Sequence, residues 1–221
     1  MIENDSPQVK ICGLTKVDEA LECAALGAHA IGCVFFPKSP RNVTEAQARE
    51  ICMALPKKVV KVGVFVNETF DKIMKKVEQC ALTAIQLHGQ ESPTLVKRLR
   101  EGKLIVIKAL FSERQPAFEE ASNYEASAFL LECGKGALPG GNAIQWNWDK
   151  TLGFGRRYPF MLAGGLAPDN VAEAIASGSP DVVDVSSGVE TSPGRKDPAK
   201  VRAFMETVHR CKVEKRLRRI F

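Results

Sequence analysis

Eight short β-branched runs alternate with amphipathic segments along this chain, and that alternation leaves few folds open to it. Strand patterns fall at residues 9–12, 30–35, 59–66, 84–87, 104–109, 128–132, 160–163 and 181–185. Helical patterns at 16–26, 44–55, 69–80, 93–100, 170–177 and 198–211 separate them, while 112–124 and 147–152 carry only a short helical pattern. Eight strand–helix units of about 25 residues close a parallel sheet on itself with no strand left over for an edge. The predicted fold class is therefore α/β, a single (β/α)8 TIM barrel over residues 1–221. It carries a short amino-terminal extension at 1–8 and a basic tail at 212–221. No composition shift or low-complexity linker marks a second domain.

Composition narrows the setting. Hydrophobic residues make up 45% and charged residues 26%, enough apolar material for a sizeable core. No run of about eighteen apolar residues occurs, and Met1-Ile2-Glu3-Asn4-Asp5 lacks a basic-then-apolar leader, so a cytoplasmic protein with no membrane partner is expected. The seven cysteines are odd in number, scattered and nowhere spaced Cys-x-x-Cys, which argues against a zinc site and a disulfide framework. Of the net charge of +5, most comes from Lys212, Lys215, Arg216, Arg218 and Arg219, set against Glu214 alone. That tail reads as a solvated end to the last helix or as a contact for an anionic surface. No stacking aromatics accompany its basic residues, so nucleic acid is not an expected partner.

In a barrel, chemistry belongs at the carboxyl ends of the strands. That edge presents Cys12, Arg41 in the loop after the second strand, Asn67, His88, Glu132, Gly164-Gly165 and the run from Asp184 to Gly188. Cys12 ends the first strand, with Gly13 freeing the turn and Thr15 placed to cap the next helix. A cysteine there is either a small buried hydrophobe or a reactive thiol. Strand alternation puts Lys10 and Cys12 on one face, as it does Gln86 and His88, Leu130 and Glu132, and Val182 and Asp184. A thiol near a carboxyl group is a workable base and acid. Lys10, about 6 to 7 Å along the strand from Cys12, would favour the thiolate.

Gly164-Gly165 and Ser186-Ser187-Gly188 follow the last two strands, where barrels hold phosphate on backbone N–H groups and a short helix start. The same turns could simply be tight. Arg41 is either a surface arginine or a fork-shaped clamp for a substrate carboxylate.

Several stretches together carry a family likeness: Lys10-Ile11-Cys12-Gly13-Leu14-Thr15, residues 35–43, Val62-Gly63-Val64-Phe65-Val66-Asn67, Ile85-Gln86-Leu87-His88-Gly89, Leu162-Ala163-Gly164-Gly165-Leu166 and Asp184-Val185-Ser186-Ser187-Gly188-Val189-Glu190, followed by Pro193, Gly194, Lys196 and Asp197. In order and spacing, from about Val9 to Cys211, they resemble the phosphoribosylanthranilate isomerases of tryptophan biosynthesis. The resemblance implies an aldose–ketose isomerase, an intramolecular oxidoreductase using general acid/base catalysis, with no cofactor and no metal. Its partner would be a small phosphorylated substrate, and the protein a monomer or homodimer. By the same resemblance, Cys12 is the base and Glu132 the acid. Gly164, Gly165, Ser186, Ser187 and Gly188 grip the phosphate. Arg41 meets the anthranilate carboxylate, and His88 and Asp184 line the substrate pocket.

One position departs from the family pattern. The acid there is an aspartate, and here Leu130-Leu131 leads into Glu132, longer by one methylene. The following loop, from Cys133 to Gly141, carries Leu138-Pro139, and Gln145 precedes Trp146 where an aspartate is usual. An alternative reading is therefore a catalytically weak or silent relative that binds a sugar phosphate. Glu132→Asp is expected to keep or raise activity if the loop permits close approach.

Overall fold

The computed structural model describes residues 6–136, 140 and 144–221. Parallel strands β1 (Gln8–Cys12), β2 (Ala30–Phe35), β3 (Val60–Phe65), β4 (Ala84–Leu87), β5 (Ile105–Phe111), β6 (Ala128–Glu132), β7 (Phe160–Leu162) and β8 (Val182–Val185) follow one another round a closed barrel. Closure is made by β1 pairing with β8, in a register that sets Lys10 beside Asp184. This is the predicted (β/α)8 TIM barrel.

The outer layer comprises α1 (Val17–Ala25), α2 (Glu45–Ala54), α3 (Phe70–Cys80), α4 (Pro93–Glu101), the single turn α5 (Phe154–Arg157), α6 (Val171–Gly178) and α7 (Pro198–Arg210). Where the helical pattern is short, the chain forms 3₁₀ segments, Phe118–Asn123 and Trp148–Thr151. Thr44 starts α2 with a capping box: its hydroxyl accepts from the Gln47 amide while the Gln47 side chain accepts from Thr44 N. Proline opens α4 and α7, where its missing N–H costs nothing.

Strand pleating sorts the core into two layers. Ile11, Ile31, Ile85, Leu131 and Leu162 point outward under helix residues such as Ile51, Leu99, Val201 and Phe204. Ala30, Val62, Ala84, Ile107, Leu130, Met161 and Val182 fill the inside. Each fully buried aliphatic side chain contributes about 1.5–3 kcal/mol.

Three local features differ from the sequence reading. Strand β5 runs on to Phe111, because Leu110 and Phe111 pair with Leu131 and Glu132 of β6. A hairpin of β9 (Glu190–Ser192) and β10 (Arg195–Lys196), turned at Pro193-Gly194, follows β8. Thr15 does not cap α1: the N-cap is Lys16, and the Thr15 hydroxyl instead donates to the Gly194 carbonyl at 2.7 Å, joining the first loop to that hairpin.

The basic tail also differs from the solvated helix end that its composition suggests. Helix α7 stops at Arg210 and the chain crosses the amino-terminal mouth of the barrel. The Gln8 carboxamide donates to the Phe221 carbonyl at 2.6 Å and accepts from the Ile220 and Phe221 amides at 2.9 and 3.1 Å. Buried Asp181 takes Lys215 Nζ at 3.0 Å and the Arg218 amide at 3.1 Å. Ile220 and Phe221 pack against the inner core beside Val60 and Ile105, while Lys212, Arg216 and Arg219 stay exposed. Removing residues 212–221 is expected to cost about 2–3 kcal/mol and about 5–10 °C in Tm, from two half-buried apolar side chains and their hydrogen bonds. The carboxyl-end rim should be unaffected, since the tail lies at the opposite end of the barrel. An unaltered melting curve would show that this closure contributes nothing.

Candidate active site

At the carboxyl ends of the strands lies an open-mouthed cavity of about 780 Å³, mouth included, within the size range of small-molecule sites. Cys12, Arg41, His88, Glu132, Gly164, Gly165, Asp184, Ser186 and Ser187 all line it. Of the rim residues singled out in the sequence, Asn67 and Gly188 fall outside the lining. Gly188 has a structural place of its own. It stands one residue behind Ser187, where any Cβ would run into the Leu166 carbonyl, so its lack of a side chain lets the last two turns pack together. The loop features Leu138-Pro139 and Gly141 lie outside the described residues, as does Met1-Ile2-Glu3-Asn4-Asp5.

Cys12 reaches the cavity from the end of β1 and is 8% exposed. Burial pushes its thiol up from the ordinary value, and Asp184 adds to that, against the opposing pull of Lys10 and Lys196. Lys10 is wholly buried inside the barrel with its Nζ 2.8 Å from Asp184 Oδ1. Burial alone would strip the charge from that amine, but Asp184 and Cys12 together outweigh burial and hold it protonated. Lys10 thus favours the thiolate, as its place on the strand suggested, yet desolvation has the larger effect on Cys12.

Glu132 ends β6 on the inner face. Its Oε2 stands 3.1 Å from His88 Nε2, and His88 Nδ1 stands 2.9 Å from the Gln86 amide nitrogen. The His88 ring is held edge-on against Phe111, with centroids 5.6 Å apart.

Arg41 is buried rather than a free surface arginine. Glu190 grips it in a two-pronged pair, accepting from Nε at 2.9 Å and Nη2 at 2.7 Å. Glu190 also takes Lys196 Nζ at 2.7 Å and the Gly194 amide at 3.3 Å. Burial opposes the charge on Glu190, but Arg41 and Lys196 more than offset it and hold the carboxyl below its usual range. Gly13, at φ +79°, turns the chain and leaves room for the Arg41 stem, which a Cβ would meet at 2.5 Å. Arg41 Nη1 makes no hydrogen bond among the described residues. Glu190 and Lys196 lie within the motifs read from the sequence but carried no assigned role. The Pro193-Gly194 turn was the signal that a hairpin folds them back.

The two glycine turns sit side by side. Gly164 and Gly165 both have positive φ, 89° and 70°. Asn170 braces their loop, donating to the Gly165 carbonyl and accepting from the Ala167 amide, each at 2.8 Å. Ser186 Oγ donates to the Cys12 carbonyl at 3.0 Å, which commits that hydroxyl to β1 and leaves Ser187 and the backbone amides as the turn's donors toward the cavity. Among the described residues, no group of three or more His, Cys, Asp or Glu side chains is placed to hold a metal ion.

This geometry agrees with what the chain resembles. Residues 9–207 match the family model described as N-(5'-phosphoribosyl)anthranilate (PRA) isomerase. An N-(5'-phosphoribosyl)anthranilate isomerase of Desulfatibacillum aliphaticivorans is 50% identical over 214 residues, covering 97% of this chain and 98% of that protein. The crystal structure of phosphoribosyl anthranilate isomerase from Thermotoga maritima superposes with a TM-score of 0.85 at 39% identity, covering 91% of this chain and 98% of that one. A second structure, of the isomerase in complex with reduced 1-(o-carboxyphenylamino)-1-deoxyribulose 5-phosphate, gives 0.82 at 38% identity, with the same coverage of both chains. With its barrel and nearly its full length matched, the chain belongs to the N-(5'-phosphoribosyl)anthranilate isomerase family.

Proposed function

We propose that this protein converts N-(5-phosphoribosyl)anthranilate to 1-(2-carboxyphenylamino)-1-deoxy-D-ribulose 5-phosphate in tryptophan biosynthesis, by acid/base chemistry from its own side chains. The observation that carries the reading is the meeting, in one cavity, of a β1 thiol, a β6 carboxyl and two glycine turns. Glu132, as the carboxylic acid, protonates the furanose ring oxygen. The carbon–oxygen bond breaks as the anthranilate nitrogen forms a Schiff base. Cys12, as thiolate, removes the proton from the neighbouring sugar carbon, and the enolamine relaxes to the ketone.

Binding follows from the same lining. The amides of Gly164 and Gly165 donate to no group among the described residues, and with the Ser187 turn they suit a phosphate. Arg41, fixed by Glu190 along one edge, offers Nη1 to the anthranilate carboxylate. His88 and Asp184 line the space between.

The deciding assay follows the loss of anthranilate fluorescence when purified protein meets the substrate. Conversion supports the isomerase. Binding of a product analogue without any conversion would instead establish a silent sugar-phosphate binder.

A pH dependence tests the Lys10 role. The reactive form of Cys12 is the thiolate, and burial raises its titration, so alkylation at Cys12 should climb with pH above the range of an exposed thiol. Lys10 opposes that rise. Lys10→Met removes the positive charge, so the titration should move further up and the alkylation curve to higher pH. A site-resolved alkylation profile that does not move would remove Lys10 from this role.

A further inference from the structure

Beside Glu132, along the same cavity wall, runs a chain of buried polar groups that the reaction steps do not use. Gln86, His88 and Glu132 are 2%, 6% and 6% exposed. Gln86 Nε2 lies 2.9 Å from His88 Nδ1, and His88 Nε2 lies 3.1 Å from Glu132 Oε2. Each contact constrains the next. A neutral imidazole has one N–H and one lone pair. An amide nitrogen only donates, so His88 Nδ1 must accept, and its proton then sits on Nε2, aimed at Glu132. Turning the Gln86 amide over would reverse the order. Both of its N–H bonds would then lie where Oε1 now stands buried without a partner among the described residues, which is the costlier arrangement.

We propose that Gln86 is a positioning residue for the acid: its amide holds His88 as the Nε2–H tautomer, which ties down one oxygen of Glu132 and leaves the other to deliver the proton. This rests on Glu132 being the acid. As Glu132 gives up its proton, the bond from His88 becomes charge-assisted and strengthens by roughly a factor of two. Stabilisation that grows along the reaction raises kcat rather than affinity. Strand β4 supplies Gln86 and leads directly into His88, and residues two apart along an extended chain face the same way.

The chain has three histidines, His29, His88 and His209, so side-chain ¹⁵N NMR resolves the tautomer once His88→Asn assigns the signal. In the unmodified protein without substrate, His88 should carry its proton on Nε2. Gln86→Leu, close in volume, should leave a mixture of tautomers and lower kcat about tenfold with KM within about twofold, the loss of one oriented hydrogen bond. Gln86→Glu presents a carboxylate that accepts from Nδ1–H. It should turn His88 to the opposite tautomer and reduce kcat further. An Nδ1–H tautomer in the unmodified protein, or an unaltered spectrum in Gln86→Leu, overturns the proposal. So does a raised KM at unchanged kcat, which would make Gln86 a substrate contact. The spectra are read without turnover, so a failure of the tautomer result is distinct from a failure of Glu132 as the acid.

Discussion

Cys12→Ala is expected to lower kcat by about 10²–10⁴-fold, the range for losing a positioned general base, or about 3–5 kcal/mol of barrel-imposed barrier lowering. Binding of a product analogue should change little. In the proposed reaction Cys12 Sγ serves only as a proton acceptor, and the binding role is assigned to the turns after β7 and β8 and to Arg41, which line the same cavity. The removed side chain is small, and Cys12 already lines the cavity, so the change leaves no sealed void in the packed layers. Steady-state kinetics paired with calorimetric binding separates the two effects. Surviving turnover would transfer the base to another group. Cys12→Ser is expected to fare nearly as badly, because a hydroxyl in the same buried position ionises far less readily than a thiol.

Glu132→Gln should cost a comparable 10²–10⁴-fold in kcat, since the amide keeps the shape and gives no proton to the ring oxygen. Glu132→Asp is the more informative variant. On sequence alone, aspartate restores the usual family residue and is expected to keep or raise activity. The geometry points the other way. Glu132 Oε2 is already at hydrogen-bond distance from His88 Nε2, 3.1 Å. Shortening the side chain by one methylene withdraws the carboxyl by roughly 1–1.5 Å, beyond that bond's reach. A displacement of that size costs on the order of a hundredfold when it misaligns a reacting group. Activity at or above that of the unmodified protein in Glu132→Asp would show that the surrounding loop, not His88, sets the position of the acid.

Both variants act on residues legible from strand position. Cys12 and Glu132 were found because each ends a β-branched run on the face that alternation turns inward, and because a closed barrel gathers those ends at one rim. The glycine turns after β7 and β8 were found in the same way. Gly188 was read with them, but its own place is behind the cavity wall, against Leu166, which only the packing of two loops reveals.

Other features needed the folded chain. Thr15 looked like a helix cap from its neighbours, and the β9–β10 hairpin, 179 residues on, claims its hydroxyl. For Arg41 the sequence leaves a surface arginine and a carboxylate clamp both open, and it is Glu190, 149 residues away, that holds its guanidinium in place. The basic tail looked like a solvated helix end, and Gln8, 213 residues back, anchors it across the barrel mouth.

The sequence by itself determined the eight-unit barrel and the rim on which its chemistry lies. Those follow from periods of 2 and 3.6 residues, which are local properties of the chain. The tertiary structure alone decided the partners: Lys10 with Asp184, Arg41 with Glu190, and His88 with Glu132. The reason is physical. A side chain's periodicity tells which way it points, but its partner and its proton depend on register and closure, which bring together buried residues 44 to 174 positions apart.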